Sequence, residues 1–216
     1  QKKIDFYDSI SNGDRKLVAN YLNKHKISIL PGFMENSELV KLFYKTYYHK
    51  RNKRVVLCGI NPGRLGAGKT GVPFLDFKSL SALLTGVNNS DSERSAQFIF
   101  SVISKFGYAS FFDNVYLTNI SWFGFLKDGK NLNYYKMGDS LQNEFINGFM
   151  EEMDIVNPSL IIPLSKDVEK SLKKINKNKY KISDRLPHPN YCSFKSRCDD
   201  EINHYVRIIG DAIEHI

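Results

Sequence analysis

No stretch of this sequence leaves fewer options than VVLCGINPGRLGAGKTGVPFLDF, residues 55–77. Its first five residues, Val55 to Gly59, form an apolar run too short for a buried helix and suited to a parallel strand covered on both faces. Glycines and prolines then take over, and the polar side chains up to position 70 are Asn61, Arg64, Lys69 and Thr70. A hydrophobic core has no use for that composition. A strand running into a glycine-rich loop places backbone amides at the carboxyl edge of a sheet, where open α/β folds bind their ligands. The search for function starts in this loop.

The remainder of the chain sets the frame. A length of 216 residues predicts one domain with a core that needs no disulfides, divided into an N-terminal helical segment over 1–50 and a core over 55–216. The excess of 31 Lys and Arg over 23 Asp and Glu, a formal charge of +8, favours an acidic partner, nucleic acid before others. Cys58, Cys192 and Cys198 are an odd number of cysteines, which suggests reduced thiols and a cytoplasmic location. The first residues contain no apolar signal region and no window approaches a membrane span, so no membrane association is expected.

Along the chain, Asn12 or Asp14 caps a predicted helix to Lys26, with Leu17, Val18, Tyr21 and Leu22 inward. A second helix is predicted over Ser37 to Tyr48, with Leu39, Leu42 and Phe43 inward, and a basic linker leads to the first strand. Short helical signals follow at 80–84 and at 92–106, the latter opened by Ser92 and closed by Gly107. Val115 to Ile120 and Leu160 to Leu164 are further strands, and Tyr180 to Ile182 is a short fourth one. Helices are predicted over 140–154, 165–175 and 201–213, the last capped by Asp199 or Asp200. Strands alternating with helices imply a three-layer α/β/α arrangement around a central, mostly parallel four-stranded sheet.

Residues 63–70 fit the phosphate-binding pattern G-x-x-x-x-G-K-[ST] without a mismatch. That motif requires a helix opening at the Lys-Thr pair, whose amides and dipole hold the phosphates. Here Gly71 and Pro73 follow at once, and a proline inside a helix costs about 3 kcal/mol. The strand ends too early as well, and neither later strand ends in an aspartate that would hold magnesium. The match is a coincidence of composition.

A different correspondence covers more of the chain. Gly59-Ile60-Asn61-Pro62-Gly63 and Thr70-Gly71-Val72-Pro73-Phe74 resemble the first motif of the single-strand-selective monofunctional uracil-DNA glycosylases. That family has Gly-Met-Asn-Pro-Gly-Pro followed by Gln-Thr-Gly-Val-Pro-Phe-Gly. Thr118-Asn119-Ile120-Ser121 and Asp128-Gly129-Lys130-Asn131-Leu132 are similar to its second motif and the Gly-Arg-Asn-Leu beyond. His188-Pro189 resembles the start of its His-Pro-Ser-Pro-Arg motif. Arg64 replaces the family's proline, Lys69 its glutamine, and Asn190-Tyr191-Cys192 its Ser-Pro-Arg, so the chain looks like a divergent, bacterial-type branch. The iron–sulfur uracil glycosylases need four cysteine ligands and this chain has three.

The resemblance implies a uracil-DNA glycosylase-like fold and hydrolysis of the N-glycosidic bond of uracil and related deaminated bases in DNA. The target nucleotide is taken out of the stack into a pocket. By resemblance, Asn61 positions the attacking water and His188 donates to the base oxygen that gains charge. Phe74 stacks on the base, and Asn119, with one acceptor and two donors, pairs with uracil N3–H and O4. The backbone of Gly59, Ile60, Pro62 and Gly63 closes the pocket. Taken singly, Asn61 reads as a turn residue, Phe74 as core, Asn119 as a cap and His188 as a loop histidine. In order and together they read as a site.

Tyr191, Phe194, Lys195 and Arg197 mix aromatic and basic character, as in a wedge that fills the gap of an extruded base; an ordinary basic loop has the same composition. Arg64, Lys69 and Asn190 complete the expected DNA contacts. His188, Cys192, Cys198 and His204 match no closed zinc spacing, so no metal and no cofactor are expected. The protein is expected to act as a monomer on DNA. The alternatives are a catalytically silent nucleic-acid-binding domain, separated by release of free base, and a nucleotide hydrolase, separated by magnesium-dependent ATP turnover.

Overall fold

The computed structural model describes residues 1–194 and 196–215. Its six strands are β1 (Ile27–Ile29), β2 (Val55–Gly59), β3 (Val115–Asn119), β4 (Phe125–Lys127), β5 (Lys130–Leu132) and β6 (Leu160–Pro163). The three apolar runs of the sequence form one parallel sheet in the order β3-β2-β6. Val55 lies opposite both Val115 and Leu160, and Gly59 opposite Asn119. Every residue of β2 and β3 is buried, which requires protein on both faces of the sheet and explains their unbroken apolar pattern.

The predicted fourth strand is not formed. Ile182 makes a single parallel bridge to Ile161, supported by Ile161 N–H to Lys181 O at 2.9 Å and Ser183 N–H to Ile161 O at 3.0 Å. The chain bows away and touches β6 again where Leu186 N–H reaches Pro163 O at 2.9 Å. Pairing interrupted in this way leaves an edge segment, and the central sheet is three-stranded. A second, antiparallel sheet in the order β1-β4-β5 had no counterpart in the sequence reading. Its β4–β5 turn places Asp128 and Gly129 at φ +50° and +70°, the pair of left-handed residues that a tight hairpin turn demands.

Helices close on the signals expected of them. Gly107, at φ +78°, ends Arg94–Phe106, and Asn157 in the left-handed region ends Asp139–Val156. The Ser165 hydroxyl accepts the Val168 N–H and opens Lys166–Ile175. Asp199 and Asp200 lie inside the first turn of Cys198–Glu214 rather than before it, where their charge still complements the helix dipole. Two inward assignments fail. Leu17 is 82% and Leu42 45% exposed, while Val18, Val40 and Phe43 carry the buried faces. Among the described residues no helix is long and apolar enough to cross a membrane.

An N-terminal helix, Lys2–Ser11, seats Phe6 against Trp122, Phe123 and Phe145. From the same helix Lys3 pairs with the buried Glu152 at 2.8 Å. Burial works to lower the Lys3 pKa, but the Glu152 charge and hydrogen bond outweigh it and the net direction is upward. Glu152 also accepts from Tyr116 Oη at 2.7 Å, Thr118 Oγ1 at 2.8 Å and Trp122 Nε1 at 2.8 Å. One carboxylate thus fixes β3 and the residues just beyond it on either side of Asn119. A buried charge keeps its place only when so fully matched.

Candidate active site

The carboxyl ends of β2, β3 and β6 open into one cavity of about 620 Å3. Gly59, Ile60, Asn61, Pro62 and Gly63 line it from the first strand, Asn119 from the second, and Leu164, Ser165 and Asp167 from the third. Phe74, His188 and Asn190 complete the expected set on its wall. The site therefore lies where a parallel sheet offers its strand ends to a ligand.

Gly59 is where the wall is tightest. A Cβ built there would collide with Asn119 Oδ1 and come within 2.6 Å of Phe74 Cζ, so the asparagine amide and the phenylalanine ring converge on bare backbone. Asn119 is 5% exposed, and its carboxamide makes no hydrogen bond to any described residue. Its remaining surface faces the cavity. Buried amides are normally paired within the protein. One that is not, and that borders a cavity, is set to pair with what enters it.

Phe74 sits at φ +60°, a conformation that costs a bulky L-residue about 1–2 kcal/mol. The turn around it is braced by Thr70, whose hydroxyl donates to Leu75 O at 2.7 Å and accepts the Val72 N–H at 3.1 Å. Asp76, buried, then caps the next helix by accepting from Ser79 N–H at 2.8 Å. Strain held in place by its surroundings is a mark of functional backbone.

Asn61 is pinned from both ends of its amide. Its Oδ1 accepts the Tyr134 N–H at 3.3 Å and its Nδ2 donates to Pro62 O at 3.4 Å. One lone pair and one hydrogen remain for a water molecule. Nearby, Asn131 Oδ1 accepts the Arg64 N–H at 3.0 Å, which ties the β5 edge to the loop after Gly63.

His188 precedes the short helix Pro189–Cys192 and accepts the Asn190 N–H on Nδ1 at 3.1 Å. That bond leaves the proton of a neutral ring on Nε2. The ring is open to the cavity but ringed by protein, and this partial desolvation lowers its pKa; the charges of Glu93 and Asp167 pull the other way. With the cavity filled, the desolvation deepens. The neutral form, an Nε2–H donor, is favoured.

The remaining expected residues among those described lie outside the cavity wall. Lys69 pairs with Asp91 at 2.5 Å. The helix that carries it, Ala67–Thr70, is a single turn stopped by Gly71 at φ +77°, so nothing continues into the helix a phosphate loop needs. Arg64 is exposed. Tyr191 and Phe194 are 52% and 46% exposed, with the Arg197 guanidinium 3.9 Å and 5.7 Å from their ring centroids and Arg94 6.0 Å from Phe194. Lys195 lies outside the described residues. Asn131, Asn133, Ser95, Asp167 and Glu93 also line the cavity, and the sequence alone does not mark them for it. Asn131 sits in a quoted motif, but Glu93 carried no signal beyond its place ahead of a helix.

The comparisons with known proteins agree with this architecture. No curated protein sequence matches the chain. The chain is similar to the crystal structure of wild-type SMUG2 from Pedobacter heparinus at 26% identity and a TM-score of 0.73, over 88% of this chain and 89% of that one. The profile of the Uracil DNA glycosylase superfamily matches residues 46–208, which takes in all three parallel strands, the loop after Gly59 and His188. The chain belongs to the Uracil DNA glycosylase superfamily.

Proposed function

We propose that this protein hydrolyses the N-glycosidic bond of uracil, and of related deaminated bases, in DNA, and leaves an abasic site. The observation that carries this reading is the unpaired, nearly buried Asn119 amide meeting the Phe74 ring over Gly59, in the cavity that also holds Asn61 and His188. An amide with an acceptor and donors beside an aromatic ring matches a flat base with an N–H and a carbonyl on one edge.

In the reaction the C1′–N bond breaks and its electron pair leaves on the base, while the sugar becomes an oxocarbenium ion. His188 Nε2–H donates to the base oxygen that gathers the charge, without itself having to lose the proton. Water held on the free lone pair of Asn61 adds through oxygen to C1′, and its surplus proton passes to solvent or to the departed base. Asn61 has no basicity, so it orients rather than activates. Phe74, Asn119 and the Gly59–Gly63 backbone keep the base fixed, which lowers the entropic part of the barrier. Tyr191 and Phe194, exposed beside the Arg197 guanidinium, are suited to the space a flipped nucleotide leaves.

The nucleotide-hydrolase alternative finds no support. Among the described residues Glu93 and Asp167 are the carboxylates that line the cavity, and no Lys or Arg does, so a triphosphate would meet carboxylates rather than cations. A silent binding domain would share the salt-sensitive affinity for DNA but release no base. The test is incubation with single-stranded oligonucleotides carrying uracil, xanthine or hypoxanthine, followed by alkaline cleavage of abasic sites. Asn119→Asp should cut uracil release by more than tenfold, because a carboxylate oxygen then meets uracil O4, acceptor against acceptor, at a cost of about 1–3 kcal/mol and more for a charged group. Uracil release by Asn119→Asp at the wild-type rate would remove Asn119 from base recognition.

A further inference from the structure

Glu93 stands immediately before the helix Arg94–Phe106, and its carboxylate is built into the cavity wall. Oε2 accepts the Ala96 N–H at 3.0 Å and Oε1 accepts from Ser95 Oγ at 3.1 Å. Its own N–H donates to Asp76 Oδ2 at 2.7 Å. Asp76 is 1% exposed and is held in turn by Gln97 Nε2, at 3.0 Å and 2.9 Å from its two oxygens. The loop opposite leaves room for the group: a Cβ on Gly66 would stand 3.3 Å from Glu93 Oε2. Helix capping alone does not explain the residue, since capping favours the shorter Asp, Asn, Ser and Thr.

The surroundings show what such a charge can act on. Glu93 is half-buried, whereas Asp167, the other carboxylate on the wall, is exposed and screened by solvent. A chain of net charge +8 brings, among the described residues, no Lys or Arg to this cavity. The nine-tenths buried Asn119 amide aims into the same space. A base and sugar held in this cavity would share it with Glu93, and a fixed charge acts strongly where water is partly excluded.

We propose that Glu93 is the anion that stabilises the positive sugar as the glycosidic bond breaks, the charge that the neutral Asn61 cannot supply. The inference rests on the glycosylase reading. Bond-making and bond-breaking stay as described above: the electron pair leaves on the base, water oxygen bonds to C1′, and its proton goes to solvent or base. Glu93 remains ionised throughout and exchanges no proton.

The test compares binding of two single-stranded oligonucleotides, one with a cationic pyrrolidine in place of the target sugar and one with a neutral tetrahydrofuran. Wild-type protein should favour the cationic analogue by about tenfold or more, as a half-buried ion pair would give. Glu93→Gln keeps an acceptor for the Ala96 N–H. It should abolish that preference, leave affinity for the neutral analogue unchanged or raised, and slow single-turnover base release ten- to a hundredfold. A role in capping alone would weaken both oligonucleotides alike and would overturn the proposal. So would a wild-type protein with no cationic preference, a measurement that stands even if the variant fails to fold. Equal loss of the preference in Asp167→Asn would overturn the assignment to Glu93. Base release without a cationic preference sinks the role of Glu93 alone; absence of base release from uracil DNA sinks the glycosylase reading with it.

Discussion

Gly59→Ala tests the heart of the site with one methyl group. The added Cβ would collide with Asn119 Oδ1 and stand 2.6 Å from Phe74 Cζ, while ordinary contacts of this kind lie near 3.5–4 Å. One or both side chains must therefore retreat by about 1 Å. Asn119 is buried at the end of β3, and Phe74 is fixed by its braced turn, so neither retreats freely. Overpacking of this kind costs about 1–3 kcal/mol, and in a chain of this size each kcal/mol lowers Tm by about 2–4 °C. The catalytic loss should exceed the loss of stability, because a 1 Å misplacement of a positioned group can cost about a hundredfold. The assays are a thermal melt and single-turnover release of uracil from a single-stranded oligonucleotide. Gly210→Ala is the comparison, since a Cβ there meets nothing within 4 Å and the residue lies in a helix, where alanine should stabilise by about 0.5–1 kcal/mol. Uracil release by Gly59→Ala within twofold of wild type would refute the claim that Asn119 and Phe74 set the base.

Asn61→Ala and His188→Ala should each slow base release by orders of magnitude, since one preorganised hydrogen-bonding group is worth about 3 kcal/mol, with affinity for DNA nearly kept; a variant that binds poorly but turns over normally at saturation would make them binding contacts. Lys69→Ala should give a modest, salt-dependent loss, because Lys69 is exposed and paired with Asp91; complete loss in a folded variant would contradict its peripheral place. The lowered pKa of His188 means that the unfolded chain binds this proton from about pH 6.5 downward, before the native one does. Its contribution to stability should thus be intact above about pH 6.5 and lost as pH falls toward the native value, where protonation also breaks the Asn190 N–H bond to Nδ1. Denaturant titrations across pH, with His188→Gln flattening the acid-side decline, check this; an identical decline in the variant would assign it to other groups.

The parallel strands were legible because Val55–Gly59, Val115–Asn119 and Leu160–Pro163 are short, apolar and covered on both sides, a pattern few other structures produce. Tyr180 to Ile182 looked alike but pairs at a single register, and nothing local distinguishes a bridge from a strand. The β4–β5 hairpin is not legible in the sequence pattern although Asp128-Gly129 is a strong turn signal; its strands are too short to show alternation. The first helix escaped because its burial rests mainly on Phe6 and on Lys3, whose partner Glu152 is far along the chain. In the cavity, residues belonging to motifs were readable, whereas Glu93 was not. A glutamate ahead of a helix looks like solvated surface until Asp76, from another segment, and Gln97, one turn into the same helix, are seen to hold its neighbourhood still.

The left-handed backbone at Phe74 has a consequence for how such a chain drifts. Strain of about 1–2 kcal/mol offsets much of what a half-buried ring contributes by leaving water, at most about 1.5–3 kcal/mol even when burial is complete. For folding alone, position 74 is close to neutral, and glycine would sit there at ease. Chains selected only to fold would let the aromatic ring go. Its retention or loss across descendants of this sequence would therefore report on use of the pocket, much as wear on a hinge reports on use of a door.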